Sequence, residues 1–281
     1  MDAVQRTTTT PDGTPIAVTR HQGDGHAVVL LHANVADRRA WDAVTAVLAD
    51  DGLDLVAYDR RGFGDTPTPT DPASFTHVDD LLAVLDDLGL TRPLLVGNSM
   101  GGAIALDTAL LHPDRVSGVL LIGAAVSGMT DEDTPFDWEL DAATGPLLER
   151  AEAADASVDD RVTALAHLWL DGPAASEGRV TGPARDLFGA MNRRILQVGA
   201  PDGAGDAGVD AWTRLGEVAV PVVTTWGELD VPADVPFYEE TARRLGQGPA
   251  RVLPATAHLP GLDQPEVVAD LVRDAVRTAR T

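Results

Sequence analysis

The chain has no cysteine and no lysine. Without cysteine there is no disulfide, no thiolate nucleophile and no cysteine-ligated metal. Without lysine no side chain can form a Schiff base. All 21 cationic side chains are therefore arginines, set against 44 acids, for a formal net charge of −23 at pH 7. That balance excludes nucleic acid and anionic membranes as partners, because either polyanion is repelled. No run of about 18 apolar residues occurs, and the polar opening MDAVQRTTTTPDG has no apolar signal region. The expectation is a cytoplasmic protein, monomer or homodimer, that binds no nucleic acid or membrane and acts on a small-molecule substrate.

What is present is a chain of 281 residues with 44% hydrophobic content, enough for a large α/β core with an inserted segment. TPIAVTR (residues 14–20) alternates like a half-exposed strand. AVVLLH (27–32), LDLVAYD (53–59), PLLVGN (93–98), SGVLLIGAA (117–125) and VPVVTTWG (220–227) read as buried strands. Helical patterns such as WDAVTAVLAD and VDDLLAVLDDLGL lie between them. This alternation predicts an α/β fold with a mostly parallel sheet, joined by crossover helices, whose site lies beyond the carboxyl ends of the strands. The rhythm stops near Val126 and resumes near Val218. Residues 1–126 and 218–281 are expected to form the core, and 127–217 an inserted helical cap over the sheet's carboxyl edge.

The motif Gly97-Asn98-Ser99-Met100-Gly101 fits G-x-S-x-G, with a strand before it and a helix after it, as that motif requires. Glycines on either side let the chain turn where a Cβ would clash, which holds Ser99 at the sheet edge. The Met100 N–H, at the start of the following helix, is placed to stabilise an oxyanion. A serine hydroxyl is a weak nucleophile, so it needs an imidazole to take its proton and a carboxylate to orient that ring. His258 lies between the strand-like PARVLPA and an amphipathic C-terminal helix, and is the candidate base. His112 reads as a helix end, His167 as a core or surface residue, His77 as a first-turn residue, and His21 and His26 as part of a surface hairpin. For the acid, Asp230 follows the buried strand VPVVTTWG in the chain order Ser…Asp…His, with Glu228 and Asp234 as close rivals.

With these motifs in view, the chain resembles an α/β-hydrolase-fold protein over nearly its full length. The resemblance rests on LLHANVADRRAW, YDRRGFGDT, VGNSMGG, HPDRVSGVLLIG, VPVVTTWGELD and ATAHLPGLDQPE. It implies Ser99 as nucleophile, His258 as base and Asp230 as orienting acid. It implies the Asn34 N–H as the second oxyanion donor, paired with Met100, although His32-Ala33 stands where the family commonly has His-Gly. It also implies that Asp59, Arg60 and Gly62 form a structural loop. Haloalkane dehalogenases and epoxide hydrolases use an aspartate nucleophile, which Ser99 does not match.

Trp138, Trp169, Trp212, Phe136 and Phe188 fall in the inserted segment. Trp138, Trp169, Phe188, Trp212 and, beside the histidine, Leu259 are candidates for an apolar substrate pocket. The expected function is hydrolysis of a small to medium apolar carboxylic ester or lactone through an acyl-enzyme on Ser99, with no metal or cofactor. GNSMGG also resembles the meta-cleavage-product hydrolases, which break C–C bonds in anionic dienoates. Those typically carry tryptophan soon after the catalytic histidine, where this chain has Leu259-Pro260-Gly261. An arginine such as Arg193 or Arg194 would be needed to hold an anionic substrate in so acidic a protein. A third reading is a small-molecule receptor built on a hydrolase fold, and a fourth is acyl transfer or perhydrolysis from the same acyl-enzyme.

Overall fold

The computed structural model describes residues 3–68, 75–129, 139–199 and 207–279. Its strands are β1 (Val4–Thr9), β2 (Pro15–His21), β3 (Ala27–Leu31), β4 (Asp54–Tyr58), β5 (Leu94–Asn98), β6 (Gly118–Ile122), β7 (Val222–Gly227) and β8 (Arg251–Leu253). The described residues form one eight-stranded sheet in the order β1-β2-β4-β3-β5-β6-β7-β8. β1 pairs antiparallel with β2, and β2 antiparallel with β4. All the remaining pairs are parallel. Every residue of β4, β5 and β6 is buried, as continuous apolar runs become when helices cover both faces of a parallel sheet.

The helices are α1 (Asp42–Val47), α2 (His77–Leu88), α3 (Met100–Leu111), α4 (Thr144–Glu152), α5 (Val158–Ala166), α6 (Pro183–Val198), α7 (Ala211–Arg214), α8 (Val235–Leu245), α9 (Pro260–Asp263) and α10 (Pro265–Ala279). On one face Leu81 and Leu85 of α2 and Ile104 of α3 pack with Val29, Leu95 and Leu121 of the sheet. On the other, Val44 of α1 and Val268 and Val272 of α10 pack with Val28, Val96 and Leu120. Thr76 starts α2 by accepting the Asp79 N–H (3.0 Å), and Gly89 ends it in the left-handed conformation.

Two features depart from the sequence reading. β1 is an additional strand, polar and largely exposed, which pairs only at the sheet's edge. His21 ends β2, which forms a hairpin with β1, but His26 does not share it: the link between the two histidines joins β2 to β3, and β4 lies between those strands. His26 Nε2 instead lies 2.9 Å from Ser117 Oγ.

Between β6 and β7 the described residues are largely helical. α4, α5 and α6 pack together, and α6 reaches the loops beyond β3 and β4. Asn192 donates to the Val35 carbonyl (2.9 Å), and Arg194 to the Gly64 carbonyl (2.6 Å). Arg179 ties the same segment to both sides of His258, through the Ala255 carbonyl before it (3.0 Å) and Asp263 of α9 after it (2.7 Å). α7 is different. Val209, Ala211, Trp212 and Leu215 belong to the apolar cluster of α2, α3 and the sheet.

The sheet and α3 approach so closely that a Cβ on Gly101 would collide with the Leu31 carbonyl oxygen of β3. Both parties are backbone, so neither can yield. Gly101→Ala is expected to cost about 3 kcal/mol, read as a fall of roughly 6–10 °C in a thermal melt. Gly145→Ala, in open space in the first turn of α4, is expected to raise stability by about 0.5 kcal/mol.

Candidate active site

Ser99 joins β5 to α3 with φ 54 and ψ −120, a backbone conformation that L residues rarely adopt. Four hydrogen bonds hold it there. Its N–H donates to the Ile122 carbonyl (3.0 Å), and its own carbonyl accepts from Gly102 (2.8 Å), Ala125 (3.1 Å) and Ala103 (3.4 Å). Strain of this kind persists only where the surroundings over-determine it. Beside it, buried Asn98 donates its amide to the carbonyls of Ile122 (2.9 Å) and His258 (3.0 Å), so one side chain binds the serine's strand to the histidine's loop.

Asp230 follows β7 in a turn closed by its N–H to the Gly227 carbonyl (3.1 Å). Its carboxylate is fully buried and lies 3.0 Å from His258 Nδ1 through both oxygens. It also accepts the Val231 N–H (2.8 Å) and the Tyr238 hydroxyl (3.3 Å). Burial opposes charge on His258, but the Asp230 charge and hydrogen bond outweigh it. With Asp234 adding to them, the imidazole is raised above its ordinary 6.5. Burial, with the neighbouring Asp230 and Asp234, pushes the Tyr238 phenol well up, so it remains a donor. Gly123, at φ 49, leaves the space this pair needs: a Cβ there would stand 2.9 Å from Asp230 Oδ2 and 3.1 Å from His258 Nδ1. Of the rival acids, exposed Glu228 accepts the Ala255 N–H (2.9 Å) and so shapes the histidine's loop. Asp234 faces a cavity.

Met100 is the first residue of α3, so its N–H has no intrahelical acceptor. The close contact of Gly101 with Leu31 sets this helix end against the end of β3, from which the chain runs on to Asn34. Asn34 lies in an exposed turn closed by the Ala36 N–H to the Ala33 carbonyl (3.2 Å). His32 underlies that turn. Its Nδ1 lies 2.8 Å from the Ala33 carbonyl, and its Nε2 accepts the Arg60 N–H (3.1 Å), which places the ring proton on Nδ1. Arg60 Nη2 then reaches the Asn34 amide oxygen (2.8 Å), and its guanidinium stacks over Phe63. Burial lowers Arg60 to about 10. Burial and the Arg60 charge hold His32 well below 6.5, and the same causes, with Arg61 adding, lower His77 to about 3.

Ser99 and His258 line one cavity of about 320 Å³ with Trp169, Asp234, Phe237 and Tyr238 among the described residues around it. Trp169 comes from a π turn after α5 (His167–Asp171), and its ring lies 4.8 Å from that of His258. The other expected pocket residues lie elsewhere. Trp212 is fully buried in the main core, under the Arg244 guanidinium. Phe188 and Leu259 are buried together in a cluster with Ala33, Leu170 and Met191, which seats the helical segment on the loop after β3. Large apolar side chains at these positions fill packing interfaces rather than line the void. Trp138 and Phe136 lie outside the described residues. Arg193 pairs with Asp159 (2.9 Å), and Arg194 holds the Gly64 carbonyl, so neither lines the cavity. His112 caps α3, and His167 lies 2.9 Å from the Ala175 carbonyl. Asn98, Gly123, Phe237 and Tyr238 were not singled out in the sequence. Only Asn98 carried a signal there, as a polar residue ending a buried apolar strand.

No helix among the described residues is long and apolar enough to cross a membrane. Among relatives, a Bacillus subtilis (strain 168) protein provisionally named 2-succinyl-6-hydroxy-2,4-cyclohexadiene-1-carboxylate synthase is 25% identical over 256 residues, covering 88% of this chain and 89% of the relative. A 2-hydroxy-6-oxononadienedioate/2-hydroxy-6-oxononatrienedioate hydrolase of Burkholderia vietnamiensis is 29% identical over 235 residues, covering 80% and 79%. Among solved structures, a thermophilic esterase from Thermogutta terrifontis superposes with a TM-score of 0.72 at 25% identity, covering 100% of both chains. The model of the alpha/beta hydrolase fold matches residues 26–206. That match takes in more than half of the sequence and includes the serine turn and the loop beneath Asn34, and on it the chain belongs to the α/β-hydrolase fold family.

Proposed function

We propose that the protein is a serine hydrolase acting on a small to medium carboxylic ester or lactone through an acyl-enzyme on Ser99. The observation that carries this reading is the buried Asp230–His258 pair set in the wall of the same cavity as Ser99. With Nδ1 committed to Asp230, Nε2 is the nitrogen left to take the serine proton. Ser99 Oγ attacks the carbonyl carbon as its proton passes to Nε2, and the N–H groups of Met100 and Asn34 receive the negative oxygen. The imidazolium then gives its proton to the leaving alkoxide. Water, deprotonated by the same nitrogen, releases the acid and restores the serine. Asp230 holds the ring's tautomer and compensates its charge, and Tyr238 and the Val231 N–H keep that carboxylate in place. The helices of residues 139–199 act as a cap that sets the pocket's roof through Trp169.

A second reading, hydrolysis of a C–C bond, is favoured by the name of the Burkholderia relative. In that reading Trp169 supplies the indole beside the histidine that Leu259 does not.

Ser99→Ala is expected to lower kcat on p-nitrophenyl esters by roughly 10⁴-fold or more, and to abolish the single covalent adduct that a fluorophosphonate adds to the intact mass. Retained turnover or a retained adduct overturns the assignment. The rate should also rise with pH to a plateau, because only neutral imidazole accepts the proton. The raised His258 value puts the midpoint above 6.5. Asp230→Asn is expected to move that midpoint down and to cost roughly 10⁴ in kcat. A wild-type profile that falls between pH 5 and 8 in the folded protein contradicts the role given to His258.

A further inference from the structure

One guanidinium gathers the chain on both sides of the base. Arg179 is half-buried in the loop between the π turn and α6, and all three of its nitrogens are engaged. Nε donates to the Asp171 carbonyl (2.7 Å), Nη2 to the Leu170 carbonyl (2.8 Å) and the Asp263 carboxylate (2.7 Å), and Nη1 to the Ala255 carbonyl (3.0 Å). Leu170 and Asp171 end the turn that carries Trp169, whereas Ala255 and Asp263 lie before and after His258. The ion pair with Asp263 takes one nitrogen, so it does not account for three further bonds to the carbonyls of two separate segments.

Both segments are shaped to receive this fork. Asp171 is fully buried, and its carboxylate accepts the N–H groups of Gly178 (2.8 Å) and Val180 (2.9 Å) and the Arg185 guanidinium (2.8 Å), which folds the loop back so that Arg179 meets the turn's last carbonyls. Carbonyls at a helical end have no intrahelical donor and favour a cation. At the next residue, Gly172 (φ 94), a Cβ would collide with the Leu229 carbonyl oxygen, so the turn rests directly on the chain leading to Asp230. Ala255 holds φ 55, which is rare for a residue with a Cβ. Its N–H donates to Glu228 (2.9 Å), and its carbonyl accepts Gln264 Nε2 (3.0 Å) as well as Arg179. Bonds on both of its polar groups are what let that conformation persist.

Between the two segments stand the rings of Trp169 and His258, 4.8 Å apart and inclined at 50°. The face of an indole attracts a cation within about 6 Å, and the imidazole becomes a cation each time it takes the serine proton. We propose that Arg179 is a positioning residue for the base: by holding the turn of Trp169 and the chain flanking His258 in one fork, it keeps the indole against the imidazole and so favours the imidazolium of the transition state. Arg179 does not itself line the cavity, and it acts through Trp169. Its effect on rate rests on the serine-hydrolase reading above; the contact it holds does not.

The experiment measures kcat and KM on p-nitrophenyl acetate for the wild type, Arg179→Gln, Arg179→Lys, Trp169→Phe and the double variant of Arg179→Gln with Trp169→Phe. A thermal melt and acrylamide quenching of tryptophan fluorescence accompany each, and the share of Trp169 is the difference between a protein and its Trp169→Phe counterpart. Arg179→Gln and Trp169→Phe are each expected to lower kcat about tenfold and to change KM less than about twofold. The double variant should lose no more than the larger single loss, because the two changes remove one contact. Arg179→Lys, which keeps the charge without the fork, should restore part of the rate. In Arg179→Gln the fluorescence of Trp169 should lose its shielding from acrylamide. Asp263→Asn weakens one of the four bonds and carries the same test if Arg179→Gln does not fold, with kcat lowered about threefold and Trp169 again less shielded. A folded Arg179→Gln with wild-type kcat, losses that multiply in the double variant, or unchanged shielding of Trp169 overturns the proposal. Turnover by none of the proteins, with Trp169 unshielded in Arg179→Gln, overturns the hydrolase reading and supports the contact that Arg179 holds.

Discussion

Everything in this site depends on one residue's backbone. Ser99 can hold φ 54 only because β5, β6 and α3 meet around it closely enough for Ile122, Gly102 and Ala125 to hydrogen-bond it on both sides. That closeness in turn requires the absence of side chains. At Gly101 a Cβ would meet β3, and at Gly123 it would crowd Asp230 and His258. The parallel sheet is thus more than a platform. Its strand ends present the serine from β5, the turn under the imidazole from β6 and the acid from β7, with spacings that the ladder sets.

A second constraint is electrostatic. Every cation in the chain other than histidine and the amino terminus is a guanidinium, a planar fork able to grip a carboxylate with two nitrogens. Arginine–carboxylate pairs tie the loops near the site, with two nitrogens on one carboxylate at Arg61 and one nitrogen in the other pairs. Arg38 holds Asp59 and Asp65, Arg61 holds Asp80 (2.7 Å) and Asp12 (2.7 Å), Arg185 holds Asp171 (2.8 Å), and Arg179 holds Asp263 (2.7 Å). Buried pairs of this sort add little net stability, since desolvation offsets most of their attraction, but losing one partner strands the other. They fix where the loops lie.

The sheet was largely legible in the sequence, because its central strands are unbroken apolar runs between helical patterns, and such runs have few alternatives. β1 was not. VQRTTT is polar, lies at an edge and buries almost nothing, so hydrophobic period carries no trace of it. The link from His21 to His26 looked like a hairpin because short polar connections between strands usually are. Its strands are separated by one that comes later in the chain. The serine turn and the histidine loop were visible as motifs, since glycines and a lone histidine before an amphipathic helix are informative in one dimension. The pocket was not legible in the same way. Trp212, Phe188 and Leu259 resemble Trp169 in composition and setting. Whether an apolar side chain faces a void or fills an interface is decided by packing partners far away in sequence, such as Met191 and Leu170 for Phe188. The same limit applies to Asp230 and Asp234, two acids one helical turn apart that differ only in which way a turn directs them.

The ring of His32 has a further consequence for the chemistry above it. It is closed in on both nitrogens, one by the Ala33 carbonyl and the other by the Arg60 N–H. His77 sits within reach of the same guanidinium charge. Both rings stay uncharged across the range in which His258 gains and loses its proton. Burial and guanidinium charge thus hold His32 and His77 neutral, whereas the Asp230 carboxylate favours charge on His258. Acidification that protonates His258 therefore leaves the hydrogen bonds of His32 to the Ala33 carbonyl and the Arg60 N–H in place.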